Sequence, residues 1–181
     1  MDLVEILQNL VGHVPTVVQP LVVALAGAIP FVEGEGGAAI GVLGGIHPVV
    51  AAVSAVVGNF VTVAALVLLG SGARDAVVTR RARSRATVAA GGGSAGGTTA
   101  TEPRDERSAA RRAKFQRAYE RYGVPGVSLL GPLLLPTHFT ATMLAASGVG
   151  RTRILVWQAV AIIGWTTVTT LVVSGVLQVV R

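Results

Sequence analysis

The sequence predicts an all-α integral membrane fold of two inverted repeats, each a re-entrant helical hairpin followed by a transmembrane helix. Three observations predict it. Only 13% of the 181 residues are charged, against roughly 25% in soluble domains, and apolar residues gather in two blocks, 14–69 and 124–180. Each block pairs one uninterrupted apolar run with one run cut by proline and glycine. The basic residues are segregated too: none precedes Arg74, and twelve of the 15 lie between Arg74 and Arg121. That is the loop bias of the positive-inside rule and makes the middle loop cytoplasmic.

Taken along the chain, residues 1–13 read as an interfacial amphipathic helix, because Leu3, Ile6, Leu7 and Leu10 recur at helical spacing. Asp2 and Glu5 stand where a cleaved signal would carry basic residues, so retention of this segment is expected. Residues 14–70 form the first repeat. Its hairpin has two arms, 21–29 and 38–46, each rising about 14 Å as a helix, half of a hydrocarbon core of about 30 Å. Pro30, Glu33, Glu35, Gly36 and Gly37 separate the arms. The run 48–70, broken only by Ser54, Asn59 and Thr62, is long enough to span.

Residues 71–104 read as a basic, Gly-rich cytoplasmic linker, flexible over 91–101. Residues 105–122 resume as a cytoplasmic amphipathic helix with Phe115, Tyr119 and Tyr122 on one stripe. The second repeat, 123–181, repeats the plan: arms 127–135 and 139–147 meet at Pro136, Thr137 and His138, and 154–180 spans with some tilt. Broken backbone at such depth must be buried in protein or line a wet cavity.

The chain has no cysteine, which excludes disulfides and thiolate chemistry. It carries no Gly-rich nucleotide loop, metal-ligand cluster or nucleophile elbow, so neither an enzyme nor a cofactor is expected. The run Arg80, Arg81, Arg83, Arg85 fits anionic lipid head groups better than nucleic acid. Membrane lipids are therefore the expected surroundings, in the inner (plasma) membrane as a multi-pass protein.

Glu33 and Glu35 are the most informative residues, since a carboxylate in hydrocarbon must be protonated, paired or wet. His138, at the other break, is placed to meet them across the interface between halves and exchange a proton; a hydrogen-bonding role without exchange is the alternative. Thr137 satisfies freed backbone or contacts substrate, as does Asn59 on the first span. Arg151 and Arg153 join the second hairpin to the last span, where they snorkel to head groups or bind phosphate. His13 and His47 read as interfacial residues.

The stretch Pro30-Phe31-Val32-Glu33-Gly34-Glu35-Gly36-Gly37-Ala38-Ala39-Ile40-Gly41 resembles the first signature of the small multidrug export protein family. Tyr122-Gly123-Val124-Pro125-Gly126, Gly131-Pro132, Pro136-Thr137-His138, Gly148, Arg151 and Trp157-Gln158 resemble its second half. That family is similar to the DedA (SNARE-associated, VTT) membrane proteins, with re-entrant hairpins and acidic residues linked to carrier-lipid movement or proton-motive force. The resemblance implies a proton-linked acidic role for Glu33 or Glu35. Pro132 and His138 stand where the DedA-like proteins carry an arginine-containing signature.

The resulting expectation is a proton-linked secondary transporter exporting small amphiphilic compounds. Two alternatives stand beside it: flipping of an anionic polyprenyl-phosphate carrier lipid, and a membrane scaffold that transports nothing. Each half is short, so a homodimer or higher oligomer is expected, joined through small-residue faces.

Overall fold

The computed structural model describes residues 3–90 and 106–180, and all regular structure among them is helical. Seven helices follow in order: α1 (Leu3–His13), α2 (Gln19–Ala28), α3 (Glu33–Leu43), α4 (Pro48–Ala90), α5 (Glu106–Leu134), α6 (Thr137–Ser147) and α7 (Arg151–Val180). Two are long and apolar enough to cross a membrane: α4 over Pro48–Gly72, and α7.

The stops between helices have local causes. α2 ends at Ile29, which is extended ahead of Pro30, as the residue before proline prefers. α3 closes through Gly45 at φ 87°, with the amide of Ile46 donating to the carbonyl of Gly41 at 3.0 Å. α6 closes through Gly148 at φ 89°, with the amide of Val149 donating to Leu144. Both are left-handed glycine caps that satisfy terminal carbonyls. Gly123, at φ 65° and ψ −165°, breaks α5 into 106–122 and 124–134.

Three boundaries differ from the sequence reading. Thr137 and His138 open α6 instead of separating the arms. Glu33, Glu35, Gly36 and Gly37 lie inside α3 instead of in the break, which is confined to 29–32. The glycines are there for packing: a Cβ on Gly37 would sit 2.9 Å from the amide nitrogen of Gly27 on α2. The helix that begins at Pro48 also runs past Gly70 to Ala90, because the Ala- and Arg-rich stretch after Gly72 contains no proline to stop it. The flexible linker expected over 91–101 lies outside the described residues.

Buried side chains form two adjoining cores. One joins α1, α2, α3 and the start of α4; the other joins the middle of α4 to α5, α6 and α7. The buried face of α4 is a row four residues apart, 51, 55, 59, 63, 67 and 71; that of α7 is 154, 158, 162, 166 and 170. Such rows are the ridges by which helices interlock. α4 and α7 run antiparallel, since Gly34 lies against both Asn59 and Thr166 while Pro48 and Leu177 line one cleft. Their outward faces carry exposed Val53, Val57 and Val61 on α4 and Val160, Ile163 and Leu171 on α7.

Backbones approach most closely between α2 and α4. A Cβ on Gly58 would lie 1.8 Å from the carbonyl oxygen of Ala24, and one on Gly27 would lie 2.6 Å from that of Ala55. Only glycine permits this separation.

Candidate functional site

The α2–α3 turn carries two residues in the left-handed region, Phe31 at φ 74° and Glu33 at φ 55°. Neither is glycine, and each such residue costs about 1–3 kcal/mol. The turn directs the Glu33 side chain inward, where it is 6% exposed, while Phe31 remains on the surface and stacks obliquely on Phe139 with ring centroids 5.8 Å apart.

Facing it is the start of α6. Pro136 is its N-cap residue and supplies no side-chain cap, so the first amides of α6 lack intrahelical partners. Glu33 supplies acceptors from 104 and 105 positions away. Thr137 Oγ1 donates to Glu33 Oε2 at 2.8 Å. His138 donates twice to Oε1, from Nδ1 at 3.0 Å and from its backbone amide at 3.4 Å. A carboxylate at this position also meets the positive end of the α6 dipole. Donation from Nδ1 leaves Nε2 buried and unpartnered; in the neutral ring it holds a lone pair and can take a proton.

The hydrogen bonds continue beyond this pair. Thr140 Oγ1 donates to the carbonyl of Thr137 at 2.8 Å, and Gln158 Nε2 reaches Thr140 Oγ1 at 3.4 Å. On the other side, a Cβ on Gly34 would lie 2.3 Å from Thr166 Oγ1 and 3.4 Å from Asn59 Nδ2. Asn59, Gln158 and Thr166 are all fully buried, and Asn59 has no partner for either amide atom.

Of the residues singled out from sequence, Glu33, Thr137 and His138 are therefore in direct contact, with Asn59 beside Gly34. Glu35 does not join these hydrogen bonds. It is half-buried and, with Glu33 itself, Phe31, Pro132, Leu133 and Trp165, lines a cleft of about 330 Å³. Two residues along a helix turn a side chain by about 200°, and it is Glu33 that turns to Thr137 and His138. Arg151 and Arg153 are exposed in the first turn of α7, one to two turns before Gln158. His13 and His47 are exposed, and His13 Nδ1 donates to the carbonyl of Asn9 at 2.7 Å.

Three contributors escaped sequence reasoning. Gln158 and Thr166 occupy the buried row of α7, and polar residues at multiples of four in an apolar helix were the available signal. Trp165 donates from Nε1 to the carbonyl of Leu129 at 2.8 Å, within the part of α5 disturbed by Pro132. No group of three metal-ligating side chains occurs among the described residues. No family model, curated protein or solved structure matches the chain, and function is therefore inferred from the geometry around Glu33.

Proposed function

We propose that this chain is a small proton-linked secondary transporter of the inner (plasma) membrane that exports small amphiphilic compounds. Glu33 exchanges the proton, while Thr137 and His138 hold its carboxylate. The observation that carries this reading is the buried Glu33–His138 contact between two helix starts, extended by buried Thr137, Thr140 and Gln158. Ionisable groups in such places are costly and mark proton or substrate pathways.

The plan of two inverted hairpin-plus-span repeats draws support from packing. Placing Gly45 on Gly148 carries the buried row 51, 55, 59, 63, 67 onto 154, 158, 162, 166, 170, position by position. α3 and α6 are each 11 residues long and end in the same type of cap. Each packs against its own following helix and also crosses to the other half, α3 to α7 and α6 to α4. With the basic stretch cytoplasmic, α4 enters it and α7 leaves it, the inverted construction common among secondary transporters. The cleft shared by Glu33 and Glu35, with Phe31 and Trp165 on its walls, has the size of a small-molecule site and pairs aromatic walls with carboxylates, as an amphiphilic cation requires. A homodimer or higher oligomer completes the pathway in this reading, and the family expectation from the two signatures belongs to it.

A second reading is favoured by one specific observation. The three donors on Glu33 come from the first turn of α6, and such a cradle also suits a phosphate oxygen, as flipping of a polyprenyl-phosphate carrier lipid requires. Replacing Arg151 and Arg153 with Gln separates the two: lipid movement would fall, whereas export of a cationic amphiphile would persist.

The deciding experiment follows proton release on addition of candidate amphiphilic cations or a polyprenyl phosphate to protein in liposomes, with Glu33→Gln alongside. Release from wild type alone is the expected result. Equal signals from both proteins, or none from either when folded, would remove Glu33 from proton exchange.

A further inference from the structure

α7 carries polar side chains along one row that is buried from Gln158 to Thr170, partly buried at Ser174 and exposed at Gln178. Gln158, Thr166, Thr170, Ser174 and Gln178 follow one another at multiples of four residues, and together they extend about 30 Å along the axis, the depth of a hydrocarbon core. The row has one apolar gap, at Ile162. Around that level the polar surface passes to the other helices: Gln158 reaches Thr140, Thr140 reaches Thr137, and Thr137 reaches Glu33. Gly34, next in sequence to Glu33, packs against the side chains of Asn59 and Thr166, so two further polar groups lie beside the Glu33 backbone. Thr170 Oγ1 then donates to the carbonyl of Thr166 at 2.7 Å. Past Ser174 a cleft of about 200 Å³ opens, lined by His47, Ser174 and Gln178 among others.

Along this line lie buried polar atoms without partners: both amide atoms of Asn59, Thr166 Oγ1, Ser174 Oγ, Gln158 Oε1 and His138 Nε2. Native interiors rarely leave such groups unsatisfied, and ordered water is the usual partner. The set mixes donors with acceptors. A metal cation would want acceptors alone and an anion donors alone, whereas water serves both.

We propose that these groups line a hydrated proton path, entered from the cleft at His47 and Ser174, passing Thr166 and Asn59 to Glu33 and His138, and continuing through Thr140 to Gln158. Its ligand is water and its cargo the hydrated proton. The proposal rests on the reading of Glu33 as the proton-exchanging group and adds the route by which the proton arrives. Water held between these side chains carries the proton from one molecule to the next, while the hydroxyls and amides hydrogen-bond and orient that water.

The natural absence of cysteine makes the test direct. Single variants Thr166→Cys and Ser174→Cys sample the path; Ile162→Cys samples a buried position off it, and Val168→Cys the exposed apolar face. Each is placed in liposomes and challenged with silver ion, which is close to water in size and reacts with thiolate. The path positions should react about tenfold faster or more than the two controls, because thiolate forms where water reaches. Thr166→Val should slow proton flux roughly fivefold and Thr166→Ser restore it, since the hydroxyl, unlike the methyl that replaces it, can hydrogen-bond the water of the path. Thr166→Cys and Ser174→Cys reacting as slowly as Ile162→Cys would overturn the path, as would undiminished flux in Thr166→Val. Rapid labelling in a protein that moves no protons would retain the hydrated channel and refute Glu33 proton exchange instead, so the two failures are distinguishable.

Discussion

The broken helix pairs α2–α3 and α5–α6 are held in different ways. α2 and α3 meet each other and α4 through glycines, with Gly27, Gly37 and Gly58 bringing backbone against backbone. In the other pair, the nearest neighbour of Gly131 is the Thr140 side chain, and that of Gly126 the Tyr122 side chain just across the Gly123 break. The correspondence of Gly45 with Gly148 sets Gly58 opposite Ala161, a buried residue that already carries a Cβ. The first pair is thus clamped by main chain. The second rests on side chains, a kink at Gly123 and two prolines. Packed backbones deform little, while helices broken by proline and glycine can pivot. In a transporter of alternating access the first pair would serve as the frame and the second as the moving part, with Glu33 reaching from one to the other.

The largest effect should come from adding one methyl to the clamp. Gly58→Ala places a Cβ within 1.8 Å of the Ala24 carbonyl oxygen and should cost about 3 kcal/mol or more, at the severe end of overpacking. Thermal unfolding in detergent measures it, with Ala161→Gly as the counterpart. A loss from Ala161→Gly as great as from Gly58→Ala would break the contrast between the halves.

Next in size is the link between them. Glu33→Ala leaves the Thr137 and His138 donors buried without an acceptor and should destabilise by about 2–4 kcal/mol. Glu33→Gln retains an acceptor oxygen and should lose no more than about 1–2 kcal/mol while abolishing proton coupling. Glu35→Gln, on a half-buried side chain, should change stability by less than about 0.5 kcal/mol. A loss from Glu33→Ala no greater than from Glu35→Gln in chemical unfolding would mean that the contacts of Glu33 stabilise nothing.

The smallest effect should show where the halves agree. Gly45→Ala and Gly148→Ala each force alanine into the left-handed region, at about 1 kcal/mol, and the two losses should match. A clearly greater loss at Gly45 would show that the first pair is more rigid even at its cap.

Legibility in the sequence followed energetic cost. Long apolar runs without charge and prolines between short ones are expensive in any other setting, so the helices Pro48–Gly72 and Arg151–Val180 and the breaks near Pro30 and Pro136 could be found without coordinates. A carboxylate inside an apolar block is conspicuous for the same reason, which drew attention to Glu33. Glycine is ambiguous by comparison. Gly36 and Gly37 suit a turn or a close helix contact equally, and only the position of α2 decides between them. Gln158 and Thr166 were hidden because a single neutral polar residue in an apolar helix is inexpensive when it turns inward. Direction cannot be known before the partner helices are placed.

The start of α6 has one further consequence, for biosynthesis. Its capping acceptor belongs to residue 33, which is made long before residue 138 leaves the ribosome. Until then the Glu33 carboxylate must keep contact with water or carry a proton. A chain stopped before Pro136 therefore lacks all three of the donors that hold this carboxylate.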